Sequence, residues 1–274
     1  EWGFRKGRRE AAENLSYNEE GDCPRCGGEK QPSTITGYLS CIKCQYEWQD
    51  PNHVAVKKGP PANYRRDAEL IEDVLAIAKN AGEIILKHYR ESTAKVSIKN
   101  DNTPVTDADI EADQYIIREL NKKTNYPVVT EEGVAEDGWV QQTSESFWLV
   151  DPLDGTKGFI EGNDFFTVNL GLIFQGRPIF GVVYAPAFDE LYWGGESYPA
   201  QKRVGNEQKL IKSREMPAEE FTILVSSHYS ITRKEHIRSL WPSCTIVPMG
   251  SSLKFCRVAE GAADVYVRRG PTSE

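Results

Sequence analysis

Two carboxylates stand three residues apart at the end of an apolar segment. Phe-Trp-Leu-Val at 147–150 leads directly into Asp151, and Asp154 is followed by the turn residues Gly155 and Thr156. Carboxylates at a strand end, next to a glycine turn that exposes backbone amides, can hold hard divalent cations beside a phosphate. Asp, Pro and Gly also make ordinary turns. We favour a binding site, because burying Asp151 behind an apolar strand without a partner would be costly.

Two further acidic segments lie upstream. Glu131-Glu132 follows the apolar Val-Val-Thr, and Asp107-Ala-Asp109 follows Pro-Val-Thr. Together with the first segment they could hold two Mg²⁺ ions, which activate a water and neutralise a leaving oxygen in phosphate-ester hydrolysis. The acids at 107–113 have a simpler alternative role, because acidic side chains also compensate the helix dipole in a first helical turn.

Four of the six cysteines form two CxxC pairs. Cys23 and Cys26 are separated from Cys41 and Cys44 by 14 residues, a spacing that fits a tetrahedral four-cysteine zinc site. Strands are expected at 37–40 and 46–48, on either side of the second pair. The pattern predicts a zinc ribbon that needs its metal to fold. A pair of disulfides and a redox-active CxxC are the alternatives.

Hydrophobic periodicity predicts the elements that position these groups. Apolar residues at steps of three and four indicate an amphipathic helix over 64–89. A second helix begins near Thr106, with Asp109 three residues later as in a capping box, and with Ile110, Ile116, Ile117 and Leu120 on its apolar face. Short apolar runs predict strands at 127–130, 147–150, 166–174, 178–184, 191–193, 221–225, 245–247 and 264–268, with a helix at 253–260. This order predicts an α+β or layered α/β enzyme.

Charge is unevenly distributed. Residues 67–274 carry 22 Lys+Arg against 32 Asp+Glu, whereas residues 1–66 carry 11 against 9. The acidic part excludes a general nucleic-acid binder and suits a site that collects divalent cations. Arg5, Lys6, Arg8 and Arg9 give the N-terminal segment a basic handle for a protein or nucleic-acid partner. No apolar run reaches the roughly 18 residues that would span a bilayer, and we expect a cytoplasmic protein.

Several ordered motifs resemble one family. Asp151-Pro-Leu-Asp-Gly-Thr156, with Glu131-Glu132 and Pro104-Val-Thr-x-x-Asp109 upstream, is similar to the signature of the inositol monophosphatase superfamily of Mg²⁺-dependent, lithium-sensitive phosphatases. Further segments are most similar to its CysQ branch of 3'(2'),5'-bisphosphate nucleotidases: Thr156–Ile160, Phe166–Leu170, Gly181–Pro186 and Gly250–Cys256. The resemblance covers about residues 67–274 and implies a five-layer αβαβα sandwich. It implies removal of the 3'-phosphate of 3'-phosphoadenosine 5'-phosphate, a by-product of sulfate assimilation. An inositol monophosphatase-like sugar phosphatase and a non-catalytic zinc-ribbon protein are the alternatives.

The resemblance also implies roles for individual residues. Glu131, Asp151, the main-chain carbonyl of Leu153, and Asp154 would bind two Mg²⁺ ions, with Asp151 bridging them. Asp109 would lie beside the site and help to hold a third, more weakly bound metal. Thr156 and Glu131 would orient the attacking water, which fixes its line of attack.

Substrate contacts follow from the same resemblance. The amides of Gly155 and Thr156 would cradle the scissile phosphate, next to Asp154 and Lys157. Ser251, Lys254 and Arg268 match positions that hold the nucleotide and its second phosphate, where a cation away from the metals is needed. Plain surface charge is the alternative for Lys254 and Arg268.

The sequence predicts a zinc ribbon at 1–48, a linker at 49–63 that contains Gly-Pro-Pro, and a phosphatase domain at 64–274. One feature of the family is missing, because no Trp-Asp pair occurs in the sequence to supply its further metal-ligating Asp. Either the chain is a fragment of a longer protein or it is a degenerate enzyme. We favour the fragment, and expect the domain to be incomplete at its C-terminal end.

Overall fold

Two units divide the chain, at Glu1–Pro61 and Ala62–Glu274. In the computed structural model, the second unit is described at residues 68–92, 94–98, 103–133, 145–217 and 219–268. Of the first unit, only the backbone of three strands is described. The division falls inside the segment predicted as a linker.

The described strands of the first unit form a small antiparallel sheet in the order β1-β2-β3. They span Lys30–Pro32, Tyr38–Cys41 and Glu47–Gln49. The strands predicted beside the second cysteine pair are thereby confirmed as β2 and β3, and β2 ends at Cys41. The other three ribbon cysteines lie outside the described residues, so the zinc site stays a prediction.

Two helices begin the second unit. Helix α1 spans Ala68–Glu91 and confirms the predicted amphipathic helix. Helix α2 spans Asp107–Lys123 and begins after Thr106, as expected. Its buried face differs from the prediction, because Ile110 is 43% exposed while Ala108 and Ala112 are fully buried. The small alanines let α2 approach its neighbours closely, and Ile110 points away from them.

A seven-stranded sheet packs against these helices in the order β12-β11-β10-β9-β8-β7-β6. Only β6 and β7 are parallel; the other neighbours run antiparallel. Its inward-facing side chains, such as Trp148, Val150, Leu170 and Leu172, join the core under α1 and α2. In chain order the strands span Val128–Thr130 (β6), Ser146–Asp154 (β7), Thr167–Phe174 (β8), Arg177–Ala185 (β9), Glu190–Gly195 (β10), Tyr198–Val204 (β11) and Glu207–Leu210 (β12).

A second, parallel sheet follows in the order β14-β13-β15. The strands span Thr222–Ser226 (β13), Thr245–Met249 (β14) and Val265–Tyr266 (β15). Two helices connect them, α4 at Ile231–Leu240 and α5 at Leu253–Ala259. The chain steps outward from β13 to β14 and then back across β13 to β15. Since parallel crossovers are right-handed, the two connecting helices must lie on opposite faces of this sheet.

The result is five layers. Helices α1 and α2 cover one face of the large sheet, and α5 lies on the other face, where Leu253 and Cys256 pack against Ala185 and Tyr192. The small sheet follows, and α4 packs Ile237 against its outer face. The predicted αβαβα sandwich is confirmed. Further elements of the second unit are a β4–β5 hairpin (Val96–Ile98, Pro104–Thr106), the one-turn helix α3 (Thr156–Ile160) and a 3-10 helix at Pro186–Phe188.

Among the residues that the structure describes, no helix has the length and apolar character needed to cross a bilayer. Helix α1 is the longest helix of the described residues, at 24 residues. It alternates buried apolar positions with exposed charged positions such as Glu72, Lys79 and Glu83.

A buried charge cluster joins α5 to the large sheet. Lys202 Nζ lies 2.8 Å from Glu190 Oε1 and 2.9 Å from Glu260 Oε2, and Arg257 bridges the same two carboxylates at 2.7 and 2.6 Å. Burial acts to raise the pKa of Glu190 and Glu260, but hydrogen bonds from Lys202 and Arg257 outweigh it and hold both pKa values below the ordinary value. Each charge is therefore compensated only while the whole cluster is present.

We expect Lys202→Met to lower the free energy of unfolding by about 3–5 kcal/mol, because it leaves two buried carboxylates sharing one cation. Urea denaturation measures this change. Lys209→Met is the matched control, since Lys209 is exposed on β12 and faces Lys202 across the strand pair. Equal destabilisation by both substitutions would contradict a special role for the cluster.

Candidate active site

Strand pairing brings two of the predicted acids together. Strands β6 and β7 run parallel with Thr130 opposite Val150. Glu131 follows β6 and Asp151 lies in the last part of β7, so the two acids are at the same end of adjacent strands. Residues 131–133 turn immediately into a helical conformation, and the Gly133 amide donates to Thr130 Oγ1 at 3.0 Å. This turn fixes the backbone position of Glu131 at the end of β6.

The regular pairing of β7 with β8 is interrupted near the end of β7, just before Asp154. The register between β7 and β8 shifts between Asp151 and Asp154. Asp151 Oδ1 accepts the Leu153 amide at 3.1 Å, which closes a tight turn. Gly155 then adopts φ +96° as the residue before α3. This left-handed conformation suits glycine and reverses the chain directly after the acids.

Asp109 connects the start of α2 to the start of α3. Its Oδ2 accepts the backbone amide of Thr106 at 2.9 Å and the Thr106 hydroxyl at 2.5 Å, and its Oδ1 lies 3.2 Å from Thr156 Oγ1. Burial raises the pKa of Asp109, and the hydrogen bonds from Thr106 and Thr156 oppose that rise. Asp109 therefore serves as the predicted capping residue and also contacts residues 151–156, which we call the acidic turn.

Asp154 accepts hydrogen bonds from two other segments of the chain. Its Oδ2 accepts the backbone amide of Ser252 and, at 3.5 Å, the side-chain amide of Asn169. Burial raises the pKa of Asp154; the Ser252 amide and the positive charge of Lys254 act against that rise, while the nearby negative charge of Glu131 adds to it. The protein alone thus compensates this charge incompletely.

Oxygen donors of the turn match the ligands that Mg²⁺ prefers. Carboxylates and a main-chain carbonyl are hard ligands, and Leu153 supplies such a carbonyl between Asp151 and Asp154. Throughout the described part of the second unit, no group of three or more acidic, histidine or cysteine side chains is already arranged to hold a metal ion. Asp109 and Asp154 instead accept hydrogen bonds from protein donors.

A cavity of about 330 Å³ opens beside the turn. It brings together six residues predicted to bind substrate: Asp154, Gly155, Lys157, Ser251, Lys254 and Arg268. Thr156 is not among its lining residues, nor are Glu131, Asp151 and Leu153.

Sequence reasoning missed a second group that lines the same cavity. These residues are Ser227, His228 and Tyr229 in the loop after β13, Arg233 in α4 and Tyr266 in β15. The polar run at 226–230 begins at the end of the apolar strand β13, just as the acids stand at the end of β7, and that shared pattern was the available signal. With these residues, the cavity is lined by the Asp154 carboxylate, by several cationic side chains and by aromatic rings.

Lys254 is held firmly in the cavity wall. Its residue is only 7% exposed, its Nζ donates to the Ser251 carbonyl, and it lies 5.3 Å from the centre of the Tyr266 ring. Ser251 itself adopts φ +52°, an unusual conformation for a residue with a side chain. Backbone strain of this kind is often found at binding sites.

A larger cavity of about 430 Å³ lies between α1 and the β10–β12 strands, away from the acidic turn. Its charged groups compensate one another, because Arg203 pairs with Glu72 at 2.8 Å and Lys79 with Asp189 at 3.0 Å. It therefore presents no uncompensated charge to a ligand, and the smaller cavity is the better candidate site.

The five layers and the acidic turn at the end of strand β7 define a class of cation-dependent phosphatases. A model of the inositol monophosphatase family matches residues 67–274. The chain belongs to this family, as the motifs predicted.

Individual relatives agree with this assignment. The 3'(2'),5'-bisphosphate nucleotidase CysQ of Escherichia coli (strain K12) is 40% identical over 208 residues, covering 74% of this chain and 82% of the relative. The protein of the same name from Haemophilus influenzae is 35% identical over 211 residues, covering 75% and 77%. The crystal structure of CysQ from Bacteroides thetaiotaomicron superposes with a TM-score of 0.61 at 33% identity, covering 77% of this chain and 83% of that one.

The tight packing around the turn gives a prediction on glycine. Gly155 has φ +96°, and a Cβ added to it would lie 2.9 Å from the Phe165 carbonyl oxygen. Gly250 has no positive φ, but a Cβ added to it would lie 2.7 Å from the same oxygen. A Cβ on Gly162 meets nothing within 4 Å, at φ +76°. We expect Gly155→Ala to destabilise most, because it adds a clash to the roughly 1–3 kcal/mol of backbone strain.

Urea unfolding of the three alanine variants separates the two costs. Gly162→Ala measures the effect of φ alone, and Gly250→Ala measures the clash alone. If Gly155→Ala were no more destabilising than Gly162→Ala, the close approach of the Phe165 carbonyl would not constrain the site.

Proposed function

We propose that this chain is a Mg²⁺-dependent phosphomonoesterase that hydrolyses the 3'-phosphate of 3'-phosphoadenosine 5'-phosphate to AMP and phosphate. The relatives named CysQ support the nucleotide as substrate. The observation that carries the proposal is the position of Lys254, which lines the same cavity as Asp154 and Gly155. A bisphosphate needs acids that gather cations around one phosphate and a separate protein cation for the other.

Magnesium has a matching set of ligands in this proposal. Glu131, Asp151, the Leu153 carbonyl and Asp154 would hold it, with Asp109 contributing to a weaker position. When bound, Mg²⁺ supplies charge neutralisation and water activation for phosphate-ester hydrolysis. The raised pKa of Asp154 supports this assignment, since an adjacent cation would favour its ionised form.

The remaining steps fall to the chain's own groups. Glu131 and Thr156 would orient the attacking water; the Thr156 hydroxyl lies within reach of both Asp109 and the Leu153 carbonyl. The amides of Gly155 and Thr156 open α3 and would hold the scissile phosphate. Because Gly155 reverses the chain at φ +96°, the phosphate can approach the backbone there closely.

The part of the cavity around Lys254 would select the nucleotide. Lys254 and Ser251 would hold the second phosphate, with Lys157 and Arg268 at the margin. An inositol or sugar monophosphate offers no group for Lys254. This difference separates the proposal from the alternative of a sugar phosphatase.

Phosphate release tests the proposal. We expect Mg²⁺-dependent hydrolysis of 3'-phosphoadenosine 5'-phosphate, inhibited by lithium, and little hydrolysis of inositol 1-phosphate. The assay uses this chain and a form extended at its C-terminal end by the Trp-Asp segment of the family. No turnover of either substrate by either form would contradict the enzyme, and a preference for inositol 1-phosphate would favour the sugar phosphatase.

A matched variant sharpens the substrate assignment. Lys254→Met should raise KM for the bisphosphate at least about tenfold, because a hydrogen bond to a charged group contributes about 1.5–3 kcal/mol. KM for adenosine 3'-monophosphate should change little, since that molecule has no second phosphate. An equal rise for both nucleotides would mean that Lys254 acts only on the shape of the site.

We also propose that the first unit binds structural zinc through Cys23, Cys26, Cys41 and Cys44. Strands β2 and β3 flank the second cysteine pair, as a ribbon requires. A cytoplasmic location, which we propose too, would keep these thiols reduced and available for a metal. The basic N-terminal segment supports a protein or nucleic-acid partner for this unit.

Metal analysis of the purified chain tests the ribbon. We expect one zinc per chain, lost in Cys23→Ser because a structural site needs all four thiolates. Cys244→Ser is the matched control, since Cys244 is a free thiol of the second unit. A chain without zinc, or equal loss in both variants, would contradict the ribbon.

A further inference from the structure

Asp154 is bound from a segment that is distant in sequence. The Ser252 amide that donates to Asp154 Oδ2 lies 98 residues further along the chain. Ser252 immediately precedes α5 and sits between Ser251 and Leu253 in a short, interlocked segment. In it, the Leu253 amide donates to Ser251 Oγ at 3.2 Å.

Asn169 reaches the same carboxylate oxygen from the large sheet. It lies in β8 directly opposite Asp151, and its side-chain amide approaches Asp154 Oδ2 at 3.5 Å. Its other end accepts the Ser252 hydroxyl at 2.8 Å. Since the amide oxygen can only accept, the Ser252 hydroxyl must donate to it.

Thr167 completes a hydrogen-bond chain with one consistent direction. Its hydroxyl lies 2.9 Å from Ser252 Oγ and must donate there, because the Ser252 proton goes to Asn169. Thr167 is fully buried and pairs with Asp154 across β7 and β8. The order is therefore Thr167 to Ser252 to Asn169 to Asp154.

This arrangement fixes the orientation of the Asp154 carboxylate. Both donors found among the described residues meet Oδ2, and none of the described donors meets Oδ1. A carboxylate held by one oxygen keeps the other in a fixed direction. Hydrogen-bond partners that orient a ligand in this way typically contribute 10–100-fold to metal affinity.

We propose that Asn169 and Ser252 are positioning residues, which orient Asp154 for a divalent cation and link it to the segment that carries Ser251 and Lys254. The inference rests on the proposed function in taking Asp154 as a metal ligand. Through this link, a cation at Asp154 and a phosphate at Lys254 each stabilise the arrangement that the other needs. Such coupling is reciprocal, so each raises the affinity for the other by the same factor.

The test is Mn²⁺ binding followed by electron paramagnetic resonance of free Mn²⁺, on the full chain. We expect Asn169→Ala to weaken Mn²⁺ binding about 10–100-fold. Ser252→Ala should weaken it less, because the Ser252 backbone amide still donates to Asp154 Oδ2 and only the hydroxyl that holds Asn169 is lost. Ser252→Thr keeps the hydroxyl and should restore most of the affinity. The controls are Asn80→Ala and Ser239→Ala, whose side chains bond Tyr115 and the His236 carbonyl; both should bind Mn²⁺ like the wild type.

A second measurement addresses the link. AMP, which carries only the 5'-phosphate, should tighten Mn²⁺ binding in the wild type and tighten it less in Asn169→Ala. Unchanged Mn²⁺ affinity in Asn169→Ala and Ser252→Ala, with only a lower Tm, would overturn the inference and leave a structural role. A wild type that binds no Mn²⁺ would also overturn it.

Failure of the proposed function gives a different pattern. If the wild type binds Mn²⁺ and the two variants lose it, while no nucleotide is hydrolysed, the substrate is wrong and the positioning role is supported. If the nucleotide is hydrolysed and the variants keep wild-type Mn²⁺ affinity, the function is supported and the positioning role is wrong.

Discussion

The burial of the Asp154 carboxylate is the constraint on which the rest of the site depends. Removing a charged group from water is costly unless other groups compensate it, and burial raises the pKa of Asp154 accordingly. Donors reach it from β8 and from the segment before α5. Those two parts of the fold must therefore meet at the end of β7.

The layer order follows from this requirement and from chain direction. The small sheet takes its strands in the order β14-β13-β15, which puts α4 and α5 on opposite faces. Helix α5 is thereby enclosed between the two sheets, and the buried cluster of Lys202, Glu190, Glu260 and Arg257 ties it to the large one. Asp154 and Lys254 line one cavity because this cluster holds α5 against the large sheet.

Much of the fold could be predicted from local patterns. Apolar residues at steps of three and four predicted α1, and Thr106 with Asp109 predicted the start of α2. The β11–β12 hairpin was missed because its outer strand is exposed throughout and polar, with no alternation to detect. Helix α4 was missed for a similar reason, since Ile237 is its one buried residue within the described chain.

The site divides in the same way. Asp151, Asp154 and Gly155 lie close together in sequence, so their type and spacing predicted a binding turn. Asn169 lies inside an ordinary apolar strand, and only the β7–β8 register brings it to Asp154. Ser252 joins it through a contact across 98 residues. Contacts of this kind depend on the finished fold and leave no local signal.

Crystallography of the protein with Mn²⁺, AMP and phosphate, using the anomalous scattering of manganese, tests the central claim most directly. We expect manganese peaks at Asp154 Oδ1 and at Asp151. Asp154 Oδ2 should still accept hydrogen bonds from Ser252 and Asn169, and the AMP phosphate should lie beside Lys254. Manganese bound elsewhere, or an Asp154 that releases Ser252 to bind the metal through both oxygens, would contradict it.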